Sequence, residues 1–260
     1  MDACTSMSRL AAALTWLAFP VYVWQGLGVR RRTTRMMPAK GPVMHRLAGH
    51  EPEIALLVLG DSSAASVGID DSSEGLASQL ALLLRERTGR AVHWRAAGFN
   101  SATSGQIRDF VVPNLAADPW THIVLAIATN DAKNFHSVPR FKRDFGGLLY
   151  ALRAKWPQAR VVWSPALEFT RAPAMPPMLG RILEIRAREI NRMGVRLCNE
   201  RGVLAASRLP ITNPREGFST DGFHASADGY RAWAEHLLPY VLGQDTAVPG
   251  KIRSSAPSGR

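Results

Sequence analysis

Cysteine is nearly absent from this chain, whose 260 residues contain two, Cys4 and Cys198. Two thiols so far apart predict neither a disulfide framework nor a zinc site. Cys198 falls in an apolar helical run, where a small core residue is expected. Metal-binding spacings such as HExxH and CxxC do not occur, and no glycine-rich phosphate-binding loop follows the first apolar run of the body. We therefore expect a protein without metal or cofactor, and nucleotide binding is disfavoured.

Acidic residues are scarce at both ends of the chain, and the net charge of +11 originates there. Residues 1–50 hold seven Lys/Arg against Asp2, and residues 244–260 hold three against Asp245. The body between them, residues 51–243, carries 22 basic and 19 acidic groups. A nucleic-acid enzyme usually spreads basic groups over its binding face, so no nucleic-acid partner is expected. The charge pattern predicts an N-terminal segment, a body and a flexible basic tail with these boundaries.

Charged residues are missing from the run 10–29, LAAALTWLAFPVYVWQGLGV, and four arginines follow it at positions 30, 31, 32 and 35. A helix of twenty uncharged residues is long enough to cross a bilayer. The arginines that follow argue against a cleaved signal peptide. Pro20 weakens the case for a straight span and leaves a shallow helix at the membrane surface as the competing picture. A helix folded onto the body's own apolar surface is the third alternative.

This N-terminal segment predicts a membrane-associated protein, with a membrane surface as a partner of residues 10–35. The arginine cluster would remain on the cytoplasmic side by the positive-inside rule, so the catalytic body is expected there as well. Each arginine near an anionic leaflet would add about 1 kcal/mol to the attachment.

From residue 51 the body alternates between patterns typical of strands and of helices. Apolar runs of strand length occur at 54–59, 91–97, 122–128, 160–164 and 202–206. Helical patterns follow them at 71–89, 103–115, 139–155, 178–201 and 226–241. Such alternation predicts an α/β fold, with a mostly parallel five-stranded sheet and helices on both of its faces.

Polar or small residues follow three of the predicted strands, namely Ser62, Gly98 and Asn130. In doubly wound sheets, ligands bind outside the carboxyl ends of the strands, where these residues fall. A further motif, STDGFHASADGY at 219–230, places Asp221 and His224 just before the last predicted helix.

These residue types suit nucleophilic catalysis by serine. A hydroxyl is a poor nucleophile until a base takes its proton; His224 suits that role, with Asp221 holding its tautomer. The backbone N–H groups of Ser62 and Gly98 and the amide of Asn130 would supply three oxyanion donors. Taken singly, each motif is more often a helix cap, a turn or a surface loop. Their joint occurrence at strand ends favours catalysis.

The order Gly60-Asp61-Ser62, Gly98, Thr129-Asn130-Asp131 and Asp221-Gly222-Phe223-His224 resembles the SGNH (GDSL-type) hydrolase superfamily over about residues 51–242. The resemblance implies a flavodoxin-like, three-layer α/β/α fold. It also implies that Ser62 is the nucleophile, that Asp221 and His224 complete the catalytic set, and that Ser62, Gly98 and Asn130 form the oxyanion hole.

Four residues mark departures from the family pattern or alternatives within it. Ala128 stands where the family commonly has glycine, and Ala225 replaces the usual proline after the histidine. Ser63 is the alternative nucleophile, and Gly105 is the second candidate for the oxyanion glycine.

The resemblance implies a serine esterase or lipase-like hydrolase that cleaves acyl esters through an acyl-enzyme, without metal or cofactor. Its substrate would be a small-molecule or lipid acyl ester. The loop 166–178 either walls an acyl pocket or packs against the sheet. A thioesterase or acyltransferase that uses the same residues remains an alternative. A catalytically silent, membrane-tethered binding module is the alternative that is not an enzyme.

Overall fold

A six-stranded sheet forms the centre of the computed structural model, which describes residues 15–33 and 36–243. The strands are β1 Met44–Leu47, β2 His50–Gly60, β3 Arg90–Gly98, β4 His122–Ala126, β5 Arg160–Ser164 and β6 Leu204–Ala205. Their order across the sheet is β1-β3-β2-β4-β5-β6. Only the β1–β3 pairing among them is antiparallel. The predicted, mostly parallel α/β sheet is confirmed, but the predicted number of five strands was wrong.

The additional strand, β1, lies at the edge of the sheet and pairs with β3 from Met44↔Arg95 to Leu47↔Val92. Its sequence, MHRL, is short and largely exposed, so it shows neither a continuous apolar run nor a regular alternation. The sheet therefore draws its first strand from segment 1–50, which the charge pattern separates from the body.

Helices cover both faces of the sheet. They are α1 Phe19–Arg32, α2 Leu76–Thr88, α3 Ser104–Gln106, α4 Thr129–Lys133, α5 Val138–Lys155, α6 Pro177–Glu200, α7 Pro214–Gly217 and α8 Ala227–Leu242. The helix predicted at 103–115 is a single α-turn, α3, followed by a π-helical and a 3-10 turn. The other predicted helices lie within a few residues of their expected bounds.

Alternate side chains of β2 pack into two different hydrophobic cores, one on each face of the sheet. Leu57 and Leu59 pack with the buried residues of α5 and α6, whereas Leu56 and Val58 pack with those of α2 and α8. Successive side chains of a strand point to opposite faces, so a strand covered on both sides must be apolar throughout. This arrangement explains the unbroken apolar run and confirms the three-layer α/β/α architecture.

The carboxyl ends of the three central strands approach one another closely. Gly60 pairs with Gly98 on one side and with Ala126 on the other. A Cβ atom on Gly60 would lie 2.3 Å from the Ala126 carbonyl oxygen, and one on Gly98 would lie 2.1 Å from the Gly60 oxygen. Glycine is required at both positions because backbone occupies that space. The loops that leave these strands consequently start side by side.

Helix α1 packs against the body beside α4 and α6. The Tyr22 hydroxyl donates to the Lys133 carbonyl at 2.7 Å, and the Leu179 N–H donates to Gln25 Oε1 at 3.1 Å. No helix among residues 15–33 and 36–243 is long and apolar enough to cross a membrane. In the described part of the apolar run, the helix is folded onto the body. Residues 10–14 and the predicted tail 244–260 lie outside the described residues.

Gly194 in α6 supplies a test of core packing. A Cβ atom there would lie 2.2 Å from Cη2 of the buried Trp163, whose indole N–H donates to the Ile127 carbonyl at 3.0 Å. We expect Gly194→Ala to lower the free energy of unfolding by about 1–3 kcal/mol through overpacking, although alanine favours a helix by about 1 kcal/mol. Gly26→Ala in α1, where a Cβ meets no atom within 4 Å, is the control and should not destabilise. Urea unfolding measures both, and a Gly194→Ala midpoint at or above wild type would contradict this account.

Candidate active site

Polar side chains meet in one cavity of about 240 Å³ at the carboxyl ends of the strands. Ser62, Asn130 and His224 all line it. Asp221 lies outside the lining and contacts His224 through its carboxylate. Gly98 also lies outside the lining, at the end of β3 beside Gly60. The structure thus brings three of the five predicted residues to the cavity and places Asp221 in direct contact with one of them.

The Asp221 carboxylate holds the His224 ring. His224 Nδ1 lies 2.5 Å from Asp221 Oδ2. The other oxygen, Oδ1, accepts the backbone N–H groups of Phe223 and His224, each at 2.9 Å, and the Ser219 hydroxyl at 2.8 Å. With Nδ1 directed at a carboxylate, Nε2 is the ring nitrogen available for proton transfer.

The environment of Asp221 keeps it ionised. Burial by itself would raise the pKa of this carboxyl, but hydrogen bonds from the His224 ring and from the His224 and Phe223 N–H groups outweigh burial. The pKa of Asp221 therefore lies well below its ordinary value. An anion at this position stabilises the imidazolium that forms when His224 accepts a proton.

A tight turn brings Asp221 and His224 together. Gly222 adopts φ 67°, a left-handed conformation that favours glycine. The turn is closed by the Ser219 N–H, which donates to the His224 carbonyl at 2.8 Å. Gly68 supports the histidine from the opposite side, since a Cβ there would lie 2.9 Å from His224 Cβ and 2.4 Å from the Ala225 oxygen. The turn forms without the proline that Ala225 replaces.

The two serines after β2 have different surroundings. The Ser63 hydroxyl donates to Asp61 Oδ1 at 3.0 Å and lies 3.4 Å from the Ala126 carbonyl oxygen. The Ser62 hydroxyl makes no hydrogen bond to the described residues, and its side chain lines the cavity. Ser63 is therefore occupied in holding the loop, which favours Ser62 as the nucleophile. No hydrogen bond joins Ser62 to His224 within the described chain, and such contacts often form only when substrate binds.

Asn130 is buried, and both N–H groups of its side-chain amide are engaged. Asn130 Nδ2 donates to Asp61 Oδ2 and to the Ala102 carbonyl, both at 3.0 Å. An oxyanion would have to replace or share one of these acceptors. Ala128, which precedes the motif, adopts φ 108° at the turn from β4 into α4. Glycine adopts such angles without strain, so the backbone gives a physical reason for the family's glycine at this position.

Buried carboxylates tie the active-site loops together, a role that sequence reasoning missed. Asp61 accepts the Ser63 N–H at 3.0 Å as well as the Ser63 hydroxyl and the Asn130 amide. Burial raises the pKa of Asp61, and the hydrogen bonds from Ser63 oppose that shift. Asp131 accepts the Ser104 N–H at 3.0 Å and hydroxyl at 2.9 Å, together with His136 Nδ1 at 3.1 Å.

Gly105 lies against α5, where a Cβ on it would be 3.2 Å from the Asp144 carboxyl group. Neither Gly105 nor Gly98 lines the cavity. Gly98 is the better candidate for the oxyanion hole because it ends β3 and pairs with Gly60, two residues before Ser62.

The apolar wall of the cavity comes mainly from the loop before and around α7. This loop contributes Leu209, Pro210, Ile211 and Phe218, and Leu167 and Trp233 also line the cavity. Leu167 is the one residue of loop 166–178 that contributes. Phe169 is instead buried in the core, and both backbone groups of Ala166 bond to the Asn191 amide, at 2.9 and 3.1 Å. Ala166 and Phe169 thus pack against the body, as in the second alternative, whereas Met178 at the end of the loop is 53% exposed.

Lys133 is a further residue near the site that the sequence analysis did not single out. Its ammonium lies 5.4 Å from the centroid of the Phe223 ring. Burial lowers the pKa of Lys133, while the Asp61 carboxylate opposes that shift. Lys133 follows Asn130 by three residues on α4, and this helical spacing is the signal that would have revealed it.

Comparison with solved structures supports the fold. TesA superposes with a TM-score of 0.59 at 19% identity, over 72% of this chain and 97% of its own. The lipase Lip_vut3 from a goat rumen metagenome superposes with a TM-score of 0.58 at 16% identity, over 72% of this chain and 97% of its own. The psychrotrophic esterase EstA from Pseudoalteromonas sp., in a structure inhibited by monoethylphosphonate, has a TM-score of 0.57 at 14% identity, over 73% of this chain and 97% of its own. Identities this low establish similarity of fold alone.

Sequence comparison identifies the family. No curated protein matches the chain. The GDSL-like lipase/acylhydrolase family matches residues 58–232, a region that includes the Ser62 loop, Asn130 and the Asp221–His224 turn. This match covers well over half of the sequence and contains all of the predicted site residues. The chain therefore belongs to the GDSL-like lipase/acylhydrolase family.

Proposed function

We propose that this ester-hydrolysing enzyme cleaves carboxylic acyl esters through an acyl-enzyme on Ser62. The observation that carries the proposal is the Asp221–His224 pair, held at 2.5 Å beside a cavity that Ser62 also lines. Nucleophile, base and the group that orients the base are the parts that serine catalysis requires. Membership of the acylhydrolase family supports the same reaction class.

The first half of the reaction forms the acyl-enzyme. Ser62 Oγ attacks the ester carbonyl carbon while its proton passes to His224 Nε2, and Asp221 stabilises the resulting imidazolium. The carbonyl oxygen becomes an oxyanion, for which the backbone N–H groups of Ser62 and Gly98 and the Asn130 amide are the proposed donors. Collapse of the intermediate breaks the bond to the alcohol oxygen, which receives the proton from His224.

The second half releases the acid. His224 takes a proton from water as the water oxygen attacks the acyl carbonyl, and a second tetrahedral intermediate forms. Its collapse returns the proton to Ser62 Oγ and frees the carboxylic acid. All of these steps use protein side chains and water.

The cavity favours esters with a small or medium apolar group. Its volume of about 240 Å³ is below the range of about 300–1,000 Å³ typical of pockets for drug-sized ligands. The apolar side chains of Leu209, Ile211 and Phe218 border it next to His224. An acyl chain of a few carbons fits this space and gains from burial against these residues.

Ser62→Ala is the direct test of the nucleophile. We expect it to lower p-nitrophenyl butyrate hydrolysis by the full-length protein at least about 1,000-fold, since residual catalysis would rest on binding and oxyanion donors alone. Ser63→Ala is the matched control and should retain activity within about tenfold, because the Ser63 N–H and the Asn130 amide still hold Asp61. Circular dichroism would verify that both variants fold. Retained activity in Ser62→Ala with loss in Ser63→Ala would refute the assignment.

Asp221 gives a pH-dependent prediction. Because its pKa in the folded protein lies below the ordinary value of about 3.9, its hydrogen bonds stabilise the fold above about pH 4, and this contribution is lost as the pH falls further. Asp221→Asn should lower the free energy of unfolding at pH 7 and flatten its decline on acidification. It should also lower kcat about 10⁴-fold, since asparagine would favour the wrong histidine tautomer.

Urea unfolding between pH 3 and pH 7, with kcat measured at pH 7, checks both effects. Ser219→Ala keeps the carboxylate and is the control, with the acid-dependent loss of stability preserved. An unchanged kcat in Asp221→Asn would contradict the proposed role of Asp221 in orienting His224.

Ile211 tests the proposed acyl pocket. Ile211→Trp adds volume to the cavity wall and should lower kcat/KM for p-nitrophenyl butyrate at least about tenfold more than for p-nitrophenyl acetate, because an acetyl group needs little of the cavity. Kinetics across acyl lengths measure the difference. Equal losses for both esters would place the acyl group elsewhere.

A further inference from the structure

Helix α1 has one face bound to the body and one face open. The inner side chains Ala18, Val21, Tyr22 and Val29 pack against the main core. The outer face exposes Trp24 by 74% and Leu27 by 49%, and Leu17, in the turn just before the helix, is 78% exposed. Trp24 and Leu27 are three residues apart and lie on the same side of the helix. A cluster of large exposed apolar side chains of this kind marks a surface that interacts with a partner or a membrane.

The open face is a fixed part of the molecule. The Phe135 ring lies 4.3 Å from the Tyr22 ring and 5.5 Å from the Trp16 ring, measured between centroids. The buried Arg186 guanidinium lies 4.5 Å from the Phe135 centroid and 5.1 Å from that of Trp16. It also donates to the His136 carbonyl at 2.7 Å. Together with the Tyr22 and Gln25 hydrogen bonds, these contacts orient the outer face.

Charge identifies the partner of this face. Helix α1 ends with Arg30, Arg31 and Arg32, all exposed and without an acidic partner among the described residues. Helices that lie in the headgroup region of anionic membranes typically combine tryptophan and leucine with arginine. The described helix has 14 residues, about 21 Å at 1.5 Å per residue, which is shorter than the hydrocarbon core of about 30 Å.

We propose that the outer face of α1 binds the surface of an anionic phospholipid bilayer, with Leu17, Trp24 and Leu27 inserted and the arginines among the headgroups. The helix lies parallel to the membrane and remains attached to the body through its inner face.

The position of α1 relates this surface to the active site. Tyr22 contacts α4 and Gln25 contacts the start of α6, and both of these helices follow carboxyl ends of strands. Beyond α1, Met36 Sδ lies 3.4 Å from the Ser219 hydroxyl, beside the Asp221–His224 turn. Docking through α1 therefore brings the catalytic edge of the sheet near the bilayer. If the proposed function holds, the enzyme would draw its acyl esters from that surface.

Vesicle co-sedimentation of the full-length protein tests the docking surface. Binding is expected to vesicles of phosphatidylcholine with 30% phosphatidylglycerol and to be much weaker to pure phosphatidylcholine. Replacing the apolar residues, Trp24→Ser with Leu27→Ser, should weaken binding at least about tenfold. Replacing Arg30, Arg31 and Arg32 by glutamine should do the same, and should remove the preference for the anionic lipid.

Two control variants and a stability measurement separate the effect on docking from effects on folding and catalysis. Tyr150→Ser removes an aromatic side chain that is 73% exposed on α5 and should leave binding unchanged. Ser62→Ala should bind as wild type does, because docking needs no hydrolysis; loss of activity in that variant therefore has no bearing on this proposal. Urea midpoints close to wild type would show that the α1 variants fold.

Three results would overturn the proposal. One is that wild-type protein does not sediment with anionic vesicles. Another is undiminished binding by the Trp24→Ser, Leu27→Ser variant, which would place the contact elsewhere in the chain. The third is a wild-type protein that does not bind vesicles but is a dimer in analytical ultracentrifugation, while the Trp24→Ser, Leu27→Ser variant is a monomer. That result would assign the face to a second copy of the protein.

Discussion

The Asp61 carboxylate is the contact on which the arrangement of the active site depends. A buried carboxylate is costly unless donors surround it, and Asp61 obtains them from Ser63 on its own loop and from Asn130 after the next strand of the sheet. Those hydrogen bonds bind the loop after β2 to the loop after β4. Ser62, between Asp61 and Ser63, is consequently held with its hydroxyl toward the cavity. The position of the proposed nucleophile and the stability of the two loops thus depend on the same small hydrogen-bond network.

Two carboxylates at this site differ because their surroundings differ. Asp61 is enclosed deeply enough that burial raises its pKa, whereas three donors from the Phe223–His224 backbone and the His224 ring outweigh burial at Asp221 and lower its pKa. The first carboxyl group therefore serves to connect loops. The second is kept as the anion that a catalytic histidine requires. Residue type alone does not distinguish the two carboxyl groups; the depth of burial does, together with the histidine ring among the donors to Asp221.

Much of the site could be predicted from the sequence because its residues lie in short motifs at the ends of strands. Asp221 and His224 are three positions apart, so one local turn suffices to bring them together. The resemblance implied Ser62 rather than Ser63, because the family's serine directly follows the aspartate. The physical reason lies in the structure, where the Ser63 hydroxyl is already bonded to Asp61 and faces the Ala126 carbonyl. Loop 166–178 was ambiguous, because its apolar residues suit a pocket wall or packing against the sheet. In the structure Asn191 holds Ala166 and the core encloses Phe169, while Leu167 lines the cavity.

Local periodicity in the sequence is enough to predict the alternation of buried strands and amphipathic helices, because it decides which faces can be buried. The location of the proposed catalytic motifs at carboxyl ends of strands is predictable as well, since it follows from parallel topology. The role of β1 depends on tertiary contacts, because a short, exposed edge strand owes its conformation to the partner it bonds. The same holds for α1. An apolar run suits a membrane and a protein surface equally well. One face of α1 packs against the body because the Tyr22 ring contacts the Phe135 ring, which in turn lies against Arg186.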